Sequence, residues 1–465
     1  MATATREILP PGPGSGFTRS LLGFRRDPLG FLVSLANRYG DVVYFKLVGP
    51  QGIYLINNPE YIKDILVTNS RNFTKSRGLE VAKRFLGEGL LTSEGEFHRR
   101  QRRLAQPAFH QQRIDSYGAA MVDYANRLSE RWRDNQTVDM AEEMMKLTLS
   151  VVSKTLFDAD VESEAGEIRE ALTEIMHVFR FGLTLPFGDK IEKILVFPRI
   201  RFQRAKAKLD AIIYRIIRER RGSGIDRGDL LSMLLMSHDE QGHEGMTDQQ
   251  VRDEAMTLFL AGHETTANAL TWAWYLISQD SDVERRLQTE LESVLAGDLP
   301  TAEDVRRLPY TESILAEAMR LYPPAWVTGR RAIADYQIGD YLIPAGSILL
   351  MSQWVTQHDK RFFPDPFRFD PDRWTPEARA SRPKFAYYPF GGGPRVCIGE
   401  PFAWMEGVLL IATLARKWRA SLVPGHRVET EPLITLRPKY GMRMRLERRA
   451  SKSTNFGGDS PPYAN

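Results

Sequence analysis

A chain of 465 residues with 42% hydrophobic and 26% charged side chains has the composition of a folded globular protein and is too apolar to stay disordered. Its formal charge is only +4, from 63 basic against 59 acidic residues. That excludes nucleic-acid binding by bulk charge and leaves any electrostatic partner to a local patch. The single cysteine excludes a disulfide framework and any multi-cysteine zinc or iron–sulfur site within one copy.

In chain order, residues 1–20 read as a Pro/Gly-rich lead-in centred on Pro10-Pro11-Gly12-Pro13-Gly14. They have neither the layout of a signal peptide nor an apolar run long enough to span a bilayer, so a cytoplasmic protein with no membrane span is expected. Two β-type runs follow at 41–47 and 52–56, and Asn57-Asn58-Pro59 stops the second. From about Arg99 to Gln288 the pattern is helical, with loops at 182–189 and 222–228. No repeat and no Gly/Ser linker divides the chain. The expected fold is one large domain over 21–448, mainly α with a smaller β component, followed by a disordered tail over 449–465 rich in Ser, Gly, Pro and Asn.

The longest helix is expected to start at Thr247, where Thr247 and Gln250 form a capping box, and to run to about Gln279. Its middle, 255–277, is apolar on nearly every face, which places it inside the protein. His263, Glu264, Thr265, Thr266 and Asn268 crowd its centre and argue against a membrane span. An ionisable Glu264 in such surroundings is costly unless solvated or paired. Gly262 beside two threonines can loosen the helical hydrogen-bond ladder and open a groove.

The cysteine stands in Phe390-Gly391-Gly392-Gly393-Pro394-Arg395-Val396-Cys397-Ile398-Gly399, ahead of a helical pattern over 400–417. Three glycines and a proline describe a tight loop whose backbone passes close to something flat or bulky. Cys397 arrives at a helix N-terminus, where the dipole and free N–H groups favour a thiolate. Arg395 adds a positive charge that can pair with a ligand carboxylate. A cysteine that only packs needs none of these features; a thiolate metal ligand needs all of them.

The spacing Phe-x-x-Gly-x-Arg-x-Cys-x-Gly, met by Phe390, Gly393, Arg395, Cys397 and Gly399, resembles the haem-binding loop of the cytochrome P450 family. Four further stretches resemble that family in the same order, together spanning about 20–448. In Ala261-Gly262-His263-Glu264-Thr265-Thr266, the resemblance makes Glu264 and Thr265 the acid–alcohol pair that relays protons to bound oxygen. Glu317 and Arg320, three apart on one helix, would otherwise be a surface pair worth about 0.2–0.5 kcal/mol. By resemblance they form a buried structural triad with Arg373, although Asp372 and Trp374 depart from the commonest family form. In Gly95-Glu96-Phe97-His98-Arg99-Arg100-Gln101-Arg102-Arg103, His98 replaces the family's usual Trp as a propionate donor, with Arg102 as its partner. Arg330 is the fourth match, a further propionate contact, while Arg331 belongs to the surface.

The resemblance implies a cytochrome P450 fold, haem b (iron protoporphyrin IX), and Cys397 as axial ligand. It implies a monooxygenase that inserts one oxygen atom from O2 into a small hydrophobic substrate, by hydroxylation or epoxidation. The pocket is expected from Leu90, Leu91, Leu260, Ala261, Ala325, Val327, Leu433 and Ile434, with 176–188 as a mobile lid. Fatty acid, terpenoid and steroid all remain open. The closest likeness is to bacterial fatty-acid hydroxylases, yet Pro50, Gln51, Gly52 and Ile53 offer no cation for a carboxylate. No flavin or nicotinamide fingerprint occurs, so electrons are expected from a ferredoxin or flavodoxin with its reductase, docked on Arg99, Arg100 and Arg103. A monomer is expected. The alternatives are a peroxide-driven peroxygenase and a non-catalytic haem sensor or carrier; retention of Glu264 and Thr265 argues against both.

Overall fold

The long helix organises the molecule. In a computed structural model, described here for residues 9–14, 17–47, 52–184, 196–236 and 246–450, it spans Asp248–Gln279 with the Thr247–Gln250 capping box formed. Twenty-two of its 32 side chains are buried, as an all-round apolar helix requires. It packs along helix Met140–Phe157 and crosses Pro309–Leu321, Val196–Ser223 and Glu400–Ala415. A β-carbon at Gly262 would meet Val152 Cγ2 at 3.0 Å. The glycine therefore serves close helix packing, and it also lines a cavity; the helix runs unbroken, with Thr265 and Thr266 hydroxyls donating to the carbonyls of Ala261 (2.6 Å) and Gly262 (3.2 Å).

The β component is peripheral. A five-stranded sheet runs in the order Val42–Phe45, Ile53–Ile56, Ile348–Met351, Thr328–Ala332, Phe73–Lys75. Only its Ile53–Ile348 pairing is parallel. All four residues of Ile53–Ile56 are buried, the pattern of a strand covered on both faces. The stretch read as a free lead-in reaches this sheet, since Tyr44 N–H donates to Pro11 O at 3.0 Å. A helix then begins at Phe17, inside the span assigned to that lead-in. Of the expected lid, the backbone is helical to Thr184, and 185–188 lie outside the described residues; so does 451–465 of the expected tail.

A hairpin of Thr430–Pro432 and Leu436–Pro438 dips its tip toward the long helix. It is pinned there by Trp272 Nε1 donating to Leu436 O (3.2 Å), Trp326 Nε1 to Leu433 O (3.0 Å) and Asn268 Nδ2 to Thr435 Oγ1 (3.2 Å). Buried indole and amide donors find partners there that they would otherwise lose to water.

Candidate functional site: a cavity between Cys397 and the long helix

Between the long helix and the cysteine loop lies a cavity of about 680 Å³. The loop is shaped by its own backbone. Gly391 and Gly393 sit at φ +76° and +65°, and a β-carbon at Gly393 would fall 2.1 Å from Leu66 O. Only glycine takes that conformation and that approach at low cost. Cys397 N–H then donates to Phe390 O (2.9 Å), Phe390 packs on Trp404 at 5.7 Å, and Arg102 clamps the loop from outside by donating to Val396 O (2.7 Å).

Cys397 is exposed and lines the cavity. Burial pushes its thiol up, against the pull of the Gly399 and Glu400 N–H groups and of Arg102. The expected helix-terminus effect is present but desolvation outweighs it, so a thiolate here calls for a cation bound at the sulfur.

One end of the cavity is basic. Lys75, His98, Arg102, Arg330 and Arg395 all line it. Burial first, then neighbouring cations, lowers Lys75 to about 7, His98 to about 3 and Arg330 to about 10. Arg395 pairs with Glu94 and donates to Ser93 O (2.9 Å), so a protein carboxylate already takes part of the role expected of a ligand. Arg330 reaches only Gly329 O (3.0 Å). Clustered cations with only Glu94 and Glu254 as neighbouring carboxylates have room for further anions. A dianionic haem with a thiolate-seeking iron fits this donor set: carboxylates at the basic end, metal at Cys397.

Lys75 escaped the sequence reading. Its signal was alternation, since Phe73 and Lys75 share the buried face of a strand and a lysine at a core-facing position demands a reason.

The acid and the alcohol on the long helix point to different partners. Glu264, 3% exposed, accepts from Arg437 Nε at 2.8 Å and from Thr435. Thr265 donates to Ala261 O, as above. The acid is thus held by the hairpin Thr430–Pro438, a pairing the sequence did not reveal. Arg437 also borders a second cavity of about 180 Å³ with His263 and Asn268. All eight expected pocket residues line the main cavity: Leu90, Leu91, Leu260, Ala261, Ala325, Val327, Leu433 and Ile434. Met176 lines it too.

Away from the cavity, Arg320 and Glu317 are fully buried and joined by two hydrogen bonds of 2.8 Å. Arg373 Nε lies 3.3 Å from Glu317 Oε1, a charge contact too poorly aligned to satisfy that N–H. Trp374 Nε1 donates to Glu317 at 2.9 Å, and Asp370 N–H at 3.1 Å. The departure at 374 thus gives Glu317 an extra donor. Of the expected docking arginines, Arg99 and Arg103 are exposed and Arg99 pairs with Glu96, whereas Arg100 is half-buried with its Nε enclosed. The patch is narrower than the sequence implied. Arg331 pairs with Glu80 at 2.8 Å. Among the described residues no helix is long and apolar enough to cross a membrane.

The chain resembles known proteins over most of its length. The cytochrome P450 family model matches residues 10–443. Cyclooctatin synthase of Streptomyces melanosporofaciens is 39% identical over 93% of this chain and 94% of its own length. Cyclooctat-9-en-7-ol 5-monooxygenase of the same organism is 38% identical, covering 86% of each. Pentalenene oxygenase of Streptomyces avermitilis is 33% identical over 91% of this chain and 94% of its own. Among solved structures, the haem domain of cytochrome P450DA superposes with a TM-score of 0.85 at 27% identity, over 96% of this chain and 99% of that one. The chain belongs to the cytochrome P450 family and is a monooxygenase with a haem-iron cofactor.

Proposed function

We infer that the chain oxygenates a cyclic, weakly polar terpenoid, held over a haem whose iron is bound by Cys397. The observation that carries this reading is the cavity itself: one thiol on its floor, basic side chains at one end, and apolar residues around the rest. The relatives named for cyclooctat-9-en-7-ol and pentalenene point to cyclic olefinic molecules, and a wall of Leu90, Leu172, Ile175, Leu260 and Leu433 suits such a shape better than an ionised fatty acid. Covalent haem attachment through two cysteines is excluded by the single one, which favours haem b.

When bound, haem supplies the reductive activation of dioxygen, with the thiolate's electron density favouring O–O cleavage. The protein's own work is fourfold. Cys397 would hold the metal; Lys75, His98, Arg102, Arg330 and Arg395 would hold the carboxylates, and Phe390, packed on Trp404, would line the cofactor's cavity. Glu264 carries a proton from the Arg437 side toward the cavity, and Thr265 presents its hydroxyl beside it. Glu317, Arg320 and Arg373 fix the frame behind the loop. The apolar wall excludes water and orients the substrate. Electrons reach the site from a separate ferredoxin or flavodoxin docked over Arg99 and Arg103, in a cytoplasmic monomer.

The test is the absorption spectrum of the dithionite-reduced protein under carbon monoxide, beside Cys397→Ser. A strongly red-shifted band lost in the variant is expected; a band unaffected by the substitution sinks the assignment. Spin-state titration with a cyclic sesquiterpene and with palmitic acid then decides the substrate class, the first expected to bind and the second not.

A further inference from the structure

The segment 87–93, between helices Arg77–Leu86 and Gly95–Ala105, carries Leu90 and Leu91 into the cavity wall. Loops are ordinarily held by their own turns and by water. Here both backbone groups of one residue are held by buried charges from other elements. Leu90 N–H donates to Glu254 Oε2 at 2.9 Å, and Leu90 O accepts from Lys75 Nζ at 3.2 Å. Lys75 Nζ also donates to Ser93 O (2.9 Å). Two residues earlier in the loop, Glu88 N–H donates to Asp253 Oδ2 at 2.8 Å.

The loop's sequence is cut to this fit. Gly87 has φ +68°, and a β-carbon there would lie 2.1 Å from the Asp253 carboxylate; one at Gly89 would lie 2.1 Å from Thr257 Oγ1. The acids stand on a braced part of the long helix: Asp253 also accepts from Gln249 (2.7 Å) and Arg252 (2.9 Å), and Arg252 holds Asp210 of helix Val196–Ser223 through Nε at 2.8 Å. Glu254 is wholly buried, with its second oxygen unpartnered, and burial raises it to about 7. Such an acid opposes folding unless something needs its charge.

We propose that Asp253 and Glu254 are positioning residues that clip the loop 87–93 to the long helix and so set Leu90, and with it the shape and selectivity of the cavity wall. The selectivity part rests on the cavity being the haem and substrate site; the clip itself does not.

Two measurements on the haem-loaded protein separate these claims. The first is amide hydrogen exchange in the peptide 86–93. Asp253→Ala and Glu254→Ala each remove one charge-assisted bond to the loop, and exchange at Glu88 or Leu90 is expected to quicken about tenfold or more. Asp253→Asn and Glu254→Gln keep an acceptor and are expected to stay near the parent.

The second titrates the iron with imidazole, small enough to ignore Leu90, and with 4-phenylimidazole, which meets the wall. The ratio of their dissociation constants is expected to change about tenfold in the alanine variants and to be restored by Gln and Asn. Gly89→Ala, which pushes the loop off while leaving both acids in place, is expected to move the ratio in the same way, and it decides the matter if the alanine variants lose haem. Unchanged exchange in folded Asp253→Ala and Glu254→Ala overturns the clip. Faster exchange with an unchanged ratio overturns the role in selectivity. If the parent binds neither imidazole, the haem reading falls and exchange alone decides the clip.

Discussion

The two walls of the cavity are built by opposite means. The cysteine wall is mainly local: Gly391, Gly393, Arg395 and Cys397 lie within seven residues of one another, short-range bonds such as Cys397 N–H to Phe390 O shape the loop, and Arg102 and Arg395 tie it to the helix Gly95–Ala105 and to Ser93. The opposite wall is assembled from afar. Glu264 meets Arg437 across 173 positions, and Asp253 meets Glu88 across 165. Local construction fixes an atom chiefly from within its own loop. Remote construction lets a pocket be reshaped by one side chain without disturbing the metal ligand.

The sharpest way to break that contrast is to attack the frame behind the cysteine wall. Glu317→Ala leaves Arg320 charged and buried without its partner, and a loss of about 3–5 kcal/mol is expected. Chemical denaturation checks this; a loss under about 1 kcal/mol, within the range of a surface pair, ends the reading of Glu317 as a buried hub. Next comes Glu264→Gln on the opposite wall. It is expected to cut product formation about a hundredfold, about 2.7 kcal/mol of barrier, while leaving the carbon monoxide spectrum unchanged. Full activity with unchanged coupling to electron donor removes Glu264 from proton transfer.

A third test reads the buried frame through pH. Glu406, wholly buried in helix Glu400–Ala415, has no well-aligned hydrogen bond on either oxygen, and burial, only partly offset by the nearby Thr266 hydroxyl, raises it from 4.5 to about 8. The folded protein then holds this proton more tightly than the unfolded chain. Its penalty is absent below about pH 4.5 and grows up to about pH 8, at up to about 1.4 kcal/mol per pH unit. Denaturation of the parent and of Glu406→Gln across that window is expected to show the variant gaining relative stability as pH rises; parallel curves refute it. Smallest is Arg99→Glu with Arg103→Glu, expected to slow reduction by an acidic ferredoxin a few-fold at low salt and less at high salt, by about 1 kcal/mol or less. Stopped-flow reduction reads it, and equal rates would remove the docking patch.

The same division explains what could be read from the chain. The mainly α fold, the capping box at Thr247 and the run 390–399 are short-range patterns whose physical reason is complete within a few residues. The hairpin that seizes Glu264, the clip on Leu90 and the turn of Trp374 onto Glu317 depend on segments far apart, and no periodicity announces them. The packing role of Gly262 is hidden for the same reason: its neighbour, Val152, lies on another helix. Lys75 and Glu406 stood in between. Each is a charge at a position whose pattern is apolar, which announces a task without naming the partner.

The solitary thiol also has a chemical cost for the living enzyme. A cysteine oxidised to the sulfenic acid is normally rescued by a second cysteine that closes a disulfide within the same chain. Cys397 has no such companion in the sequence. Oxidative damage at this sulfur can be repaired only by a thiol from outside, and the cavity that Cys397 lines is a route by which one can reach it. A molecule filling the cavity therefore shields the sulfur from oxidant and reductant alike, so that the working lifetime of the enzyme becomes a property of its occupancy.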